Sequence, residues 1–336
     1  KAKLMPRIIF GGAIEAELSE RRVFQLFNQN LSLSRWKTPS KIGISNREFP
    51  RLYKHHNFHL NWLAQAVDFT AQDKLMPRVI MDARKQVLVQ LAQMQGLPAS
   101  FCKDISRVSD HTRSFFAVLP TGEVAVLNSG HPSGLYLGAE GNTINHRIIS
   151  NYIDIKSGNT KFLTKANCID SQYGDDALRS VKPTVASQYF SDRNAKVRAD
   201  IMRNDLKLLT TTDLWNERPT DSHESAFLRR AWTPHRNERT GQVEHISKFE
   251  HDRVLNKWLV PHNPVHTPQE SYERTSGYIM LTGGHPDLFR LMKAHLHELS
   301  TMPQVTPIPL FQRLTMKSLL QDYYHSGGRP SIEELQ

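Results

Sequence analysis

The chain has 336 residues and only two cysteines, Cys102 and Cys168, which excludes a disulfide framework and a cysteine-rich zinc module. Hydrophobic residues make up 39% and charged residues 23%, the composition of a folded chain with long polar excursions, and no apolar run reaches the roughly eighteen residues of a membrane span. Net charge is +10 and lopsided, since residues 1–60 hold 11 Lys or Arg against 4 Asp or Glu. No secretory signal is visible, and the start at Lys1 leaves room for a removed leader. The expected compartment is reducing and intracellular, with a mitochondrial address after leader removal as one option.

In chain order, residues 14–31 set Ile14, Leu18, Val23, Phe24, Phe27 and Leu31 near one helical face with acids in the first turn, which predicts a helix. Residues 57–69 follow helical spacing less cleanly, and a further helix from about 79 to 95 stops at Gly96-Leu97-Pro98. The segments 114–120 and 123–130 flank Thr121-Gly122 and read as a hairpin, and "RIISNYIDIK" with "TKFLT" reads as more strand. Helix returns at 193–209. Residues 215–275 read as polar connection with short helices near 224–232 and 249–258, followed by a strand in "SGYIMLT", a helix opened by Pro286 and a last helix over about 309–323. The expected fold class is α+β, with a helical N-terminal part, a β-rich middle (about 114–164) and a helical C-terminal part with long polar loops. The expected segments are 1–110, basic and mainly helical; 111–213, a β-rich core with its following helix; 214–275, an extended connection; and 276–336, a strand and helices.

One string returns, "KLMPRIIF" at 3–10 and "KLMPRVIM" at 74–81. The similarity ends at once on either side, so two uses of one structural device, a proline fixing helix-entry or extended geometry, is favoured over a duplication.

The densest charge lies in "RWKTPSKIGISNREFPRLYK". There Arg35, Lys37, Lys41, Arg47, Arg51 and Lys54 face one acid, Glu48, and alternate with Trp36, Phe49 and Tyr53. Cations hold phosphates and aromatic rings stack on bases, so this segment, with Lys3 and Arg7, is the expected nucleic-acid-binding surface and RNA the expected partner.

Other constellations carry less. "NYIDIKSG" resembles the acid-x-Lys core of PD-(D/E)xK nucleases, and that resemblance implies Asp154 on Mg²⁺, Lys156 at the phosphate and Glu140 as a second ligand. "QYGDDAL" resembles a polymerase Gly-Asp-Asp turn; with no other polymerase motif read in the chain, the expectation does not rest on it. Sixteen histidines lack any His-Glu-x-x-His spacing, so no metal site and no cofactor is expected. A thiol nucleophile, Cys102 with His111 and Asp110 or Cys168 with Asp170, is a further alternative, a transferase or hydrolase of the secreted-effector kind. The function expected from sequence is therefore a non-enzymatic, RNA-associated structural subunit of a large assembly, such as an organellar ribosome accessory protein, with protein neighbours and no membrane contact.

Overall fold

The computed structural model describes residues 14–67, 76–118, 121–127, 130, 135–162, 164–208, 227–261, 265 and 267–328. The fold is α+β, with small antiparallel sheets among many helices. The chain forms two compact units, one from residues 1–43 and 65–216, the other from 44–64 and 217–336.

In the first unit, helix α1 (Ile14–Leu33) opens with Glu15 and Glu17, where the macrodipole favours acids. Its inward face is Glu20, Phe24 and Asn28, while Ile14 and Leu18, expected inside, are exposed. Phe24 packs with Leu88 and Ala92 of α3 (Arg78–Met94), Cys102 and Ile105 of α4 (Ala99–Arg113), and Leu137. Pro77 caps α3, so the second copy of the repeated string is a helix entry; the first copy lies outside the described residues. Gly96 ends α3 at φ +71, with its amide on Gln93 O at 2.9 Å and the Leu97 amide on Ala92 O at 3.0 Å. That is a Schellman motif, and it explains why the glycine stops the helix. Helix α4 was not anticipated.

The hairpin of β2 (Phe115–Val118) and β3 (Val124–Leu127) pairs as expected, from Phe115 with Leu127 to Val118 with Val124. Helix α5 (Gly138–Lys156) runs where strands were expected. Ile149 and Ile153, four apart, are its buried isoleucines, and Ile155, which completes the apparent alternation, is exposed. A short window made a helical face look like a strand. The "TKFLT" segment likewise begins as a 3-10 turn, Asn159–Phe162. β4 (Cys168–Tyr173) and β5 (Asp176–Val181) form an antiparallel hairpin within a three-stranded sheet of order β1-β5-β4, where β1 is Leu63–Val67. The outer edge of β4 is covered by the segment after α1, through Lys41 N to Gln172 O at 2.8 Å and Gln172 N to Pro39 O at 2.9 Å. Two further helices, α6 (Pro183–Tyr189) and α7 (Asp192–Asn204), follow, and α7 closes a second core of Met76, Ile80, Ile149, Ile153 and Met202.

The second unit is built on the hairpin of β6 (Arg230–Arg236) and β7 (Val243–Phe249). Of the helix expected over 224–232, residues 224–226 lie outside the described residues, and 227–232 are instead a Phe227–Arg230 bridge and the start of β6. On one face Trp232, fully buried, meets Phe49 and Tyr53 of α2 (Phe49–His55) and Phe58, with ring centroids 5.5, 6.2 and 5.7 Å away. Its Nε1 donates to Phe49 O at 3.0 Å. The helix expected over 57–69 is contradicted through 67, where the chain forms a 3-10 turn at Phe58–Leu60 and then β1; Asn57 and Asn61, flanking the turn, take left-handed φ of 56° and 60°, which asparagine tolerates better than most residues, and residues 68 and 69 lie outside the described residues. The opposite face, through Ile246, packs on α8 (His251–Leu259), α9 (Pro268–Ile279), α10 (Pro286–Ser300), α11 (Pro309–Arg313) and α12 (Met316–Leu319). Helix α9 replaces most of the strand expected at 276–282; a Thr267–Glu270 capping box and Pro268 in its first turn set its start. Among the described residues, no helix is long and apolar enough to cross a membrane.

Candidate active site

The β4–β5 register runs from Cys168 opposite Val181 to Tyr173 opposite Asp176, so Gly174 and Asp175 alone make the turn. Gly174 takes φ +62 and Asp175 takes no positive φ, the sign pattern of a type II′ hairpin turn with glycine first. A Cβ on Gly174 would meet nothing within 4 Å, so the backbone conformation, not space, asks for glycine. Asp175 thus sits at the tip and Asp176 begins β5, both half-buried. Among the described residues the Asp175 carboxylate has no hydrogen-bond or ion-pair partner.

Helix α5 carries a polar stripe against this hairpin. At the tip, Thr143 Oγ1 accepts the Gly174 amide at 2.8 Å and donates to Ala139 O at 2.9 Å. His146 is fully buried beside the backbone of Gly174 and Asp175, and burial pushes its imidazole down to about 4. Lower down, Asp170 of β4 stands directly opposite Arg179 of β5. Arg179 donates to Asp170 at 2.5 and 3.1 Å, to Asp154 of α5 at 2.9 Å, and to the Tyr189 hydroxyl. Arg147 of α5 closes on Asp170 from the helix side. Burial alone would raise the Asp170 carboxyl, but Arg179 and Arg147 outweigh it and hold it well below the usual carboxylate range. Arg198 of α7 lies 4.4 Å from the Tyr189 ring centroid, and burial pushes that phenol up to about 12. On the same helix α5, Asn142 Oδ1 and both amide atoms of the fully buried Asn145 have no hydrogen-bond partner among the described residues.

A two-residue turn that presents adjacent carboxylates from a rigid, ion-paired base suits binding of hard divalent cations through oxygen. The family model for viral RNA-dependent RNA polymerases matches residues 5–247, well over half of the chain and including this hairpin. The chain belongs to the viral RNA-dependent RNA polymerase family. Among solved structures the fold resembles a sicinivirus 3Dpol RNA-dependent RNA polymerase, with a TM-score of 0.63 and 17% identity over 90% of this chain. The chain spans only 61% of that structure's length. No curated protein matches.

This membership overturns the expectation of a non-enzymatic ribosomal or ribonucleoprotein subunit, and with it the mitochondrial association. The Gly-Asp-Asp string at 174–176, on which the sequence-based expectation does not rest, lies inside that match. The nuclease alternative fails on geometry. Glu140 and Asp154 lie 14 positions apart on one helix, roughly 21 Å along its axis. Asp154 is already paired to Arg179, and Lys156 faces outward beside Tyr152 and Asp205. The thiol alternative fails on burial, since Cys102 and Cys168 are both buried and burial pushes the Cys168 thiol up to about 12.

The nucleic-acid residues expected from charge fall in both units. Lys3 and Arg7 lie outside the described residues. In the first unit Lys37 is exposed, and Arg35 and Trp36 are half-buried, Arg35 donating to Ser32 O at 2.7 Å. Lys41 is fully buried, with Nζ on Arg35 O at 2.7 Å and Thr38 O at 2.9 Å and 5.6 Å from the Trp36 ring centroid, so it ties off the end of α1. In the second unit Arg51 and Lys54 are exposed, Arg47 donates to Gly328 O at 2.9 Å, and Tyr53 is buried and stacked on His245 at 3.8 Å. Lys41 and Tyr53 therefore do not present their polar groups at the surface. Sequence reasoning misses Thr143, Arg147 and Arg179 and takes Asp170 only as a partner of the Cys168 thiol; a Gly-Asp pair between two six-residue runs is a hairpin signal that would have found the turn.

Proposed function

We propose that the chain is the catalytic part of a polymerase that copies RNA from RNA, with the Gly174–Asp176 turn at the reacting centre. The observation that carries this reading is the Asp175-Asp176 pair on a tight turn, braced by α5, inside the family match. Asp175 and Asp176 supply only carboxylate oxygen, the donor type magnesium and manganese prefer. Among the described residues no group of three His, Cys, Asp or Glu side chains is close enough to hold a metal. Asp68, which directly follows β1, the strand beside β5, and Asp73 are the acids nearest in sequence to that sheet. When bound, a pair of divalent cations supplies Lewis-acid stabilisation of the attacking and leaving oxygens in phosphoryl transfer. The chain's own part is to hold the turn that carries Asp175 and Asp176 at a fixed height above α5.

The exposed cations Lys37, Arg51 and Lys54 supply sequence-independent phosphate contacts in this reading, with RNA as the partner. The test is template-directed nucleotide incorporation by the protein with Mg²⁺ or Mn²⁺. Asp175→Ala and Asp176→Ala are each expected to lose it while keeping RNA binding, and incorporation at the wild-type rate by the double variant would refute the assignment.

A further inference from the structure

We propose that Thr143 is a positioning residue that fixes the height and orientation of the Gly174–Asp176 turn, and thereby sets how tightly its carboxylates hold a divalent cation. The inference rests on the polymerase reading for the identity of the cation, but its geometric basis does not.

In a two-residue hairpin the tip amide has no partner in the strand ladder, so a buried one must find another acceptor. Gly174 is buried, and its amide goes to Thr143 Oγ1 at 2.8 Å. That oxygen is itself held by donating its own proton to Ala139 O, one helical turn earlier, at 2.9 Å. The hydroxyl is thus oriented from below, with a lone pair facing the turn. Threonine is stiff at χ1, so the acceptor cannot follow the turn if it drifts.

Thr143 also sits where such a tether acts best. Thr143, His146, Arg147 and Asp154 lie on one side of α5, His146 three, Arg147 four and Asp154 eleven positions after Thr143. Arg147 and Asp154 engage the Asp170–Arg179 pair, four strand residues below the tip, while Thr143 and His146 meet the tip itself. The lower contacts fix the register of helix on hairpin, and the upper ones remove the remaining freedom of the turn. His146 fills space beside the turn backbone and Thr143 supplies the directional bond. Outer contacts that orient metal-binding groups commonly change metal affinity without touching the metal.

The experiment compares Thr143→Val, which keeps shape and loses the acceptor, with Thr143→Ser, which keeps it. Two measurements are made on the whole protein: Mn²⁺ binding, read from the electron paramagnetic resonance signal of free Mn²⁺, and hydrogen exchange at the Gly174 amide. Thr143→Val is expected to weaken Mn²⁺ binding about tenfold, to speed exchange at Gly174 and to melt a few degrees lower because the buried amide loses its acceptor, and Thr143→Ser to stay within roughly threefold of wild type in Mn²⁺ affinity and to melt with it. Wild-type Mn²⁺ affinity in Thr143→Val, with Asp175→Ala abolishing binding, would overturn the positioning role and leave the polymerase reading standing. Unchanged Mn²⁺ binding in Asp175→Ala would instead overturn the polymerase reading of the turn, and the positioning role with it. Equal losses in the Val and Ser variants together with a lowered melting temperature would reduce Thr143 to a packing residue and also overturn the proposal.

Discussion

Arg179→Met removes the one side chain that touches Asp170, Asp154 and Tyr189 together. Asp170 keeps Arg147, but the buried Asp154 carboxylate loses its cation. Breaking a buried ion pair from one side costs about 3–5 kcal/mol, because an uncompensated charge is left in a medium that solvates it poorly. A buried aspartate can escape by taking a proton, and at pH 7 that costs about 1.4 kcal/mol for each pH unit above its ordinary pKa near 3.8, or roughly 4 kcal/mol. The two limits agree, so the expected loss at pH 7 is about 3–4 kcal/mol. Escape becomes cheaper in acid, and at pH 5 the ceiling falls to roughly 2 kcal/mol. Wild type moves the opposite way: Asp170 has its folded pKa depressed, so its contribution is present above the unfolded value near 3.8 and is lost as pH falls toward the folded value. Urea unfolding at pH 7 and pH 5 measures the change in the variant, and a further measurement near pH 3 measures the loss in wild type. The double variant Arg179→Met/Asp154→Asn, with no orphaned charge, is expected to recover part of the loss. A loss under about 1 kcal/mol at pH 7, or one that is the same at pH 5 and not relieved in the double variant, would refute the ion-pair reasoning.

Two further outcomes follow from the turn and the surface. Gly174→Ala is expected to destabilise by about 1–2 kcal/mol and Gly174→Asn by less, because the cost lies in the left-handed φ and not in crowding; chemical unfolding of the two variants decides it, and equal losses would point to sterics instead. Lys37→Glu, Arg51→Glu and Lys54→Glu are each expected to weaken RNA binding whatever the sequence and to flatten the salt dependence by about one unit of slope for each phosphate no longer held, whereas unchanged salt slopes in filter binding would remove these residues from the interface.

Where the hydrophobic pattern and the breakers agreed, the sequence was legible. Helices α1, α3 and α10 and the β2–β3 hairpin stand where periodicity, Gly96, Pro286 and Thr121-Gly122 put them. The site was not legible in that way because its scaffold breaks the pattern. β4 and β5 bury Ser171, Gln172, Arg179 and Ser180, residues that composition assigns to the surface, and α5 buries Asn142, Asn145, His146 and Asp154. A strand whose inward residues are charged shows no alternation of apolar and polar, and a helix whose inward stripe is polar loses its amphipathic signature. The second unit was hidden for another reason: Phe49, Tyr53 and Phe58 pack on Trp232, more than 170 residues later in the chain, and no local window contains that contact.

The charge beneath the turn invites an electrostatic explanation, and the magnitudes argue against it. Arg147, Arg179 and Arg198 against Asp154 and Asp170 leave one net positive charge in the network. The Asp170–Arg179 pair lies four strand residues below Gly174, or roughly 13 Å. At that distance one unit charge acts on a tip carboxylate with about 1 kcal/mol if the effective dielectric is near 20, and about 0.3 kcal/mol if it is that of water. Salt reduces even this, since the separation exceeds the Debye length of about 8 Å at physiological ionic strength. A contribution of about 1 kcal/mol or less changes an equilibrium at the tip by less than about tenfold. The network therefore fixes position, holding hairpin on helix with bonds too short and too buried to slide. On the polymerase reading, this rigidity supplies a fixed place for Asp175 and Asp176, and a divalent cation bound there would supply the neutralising charge.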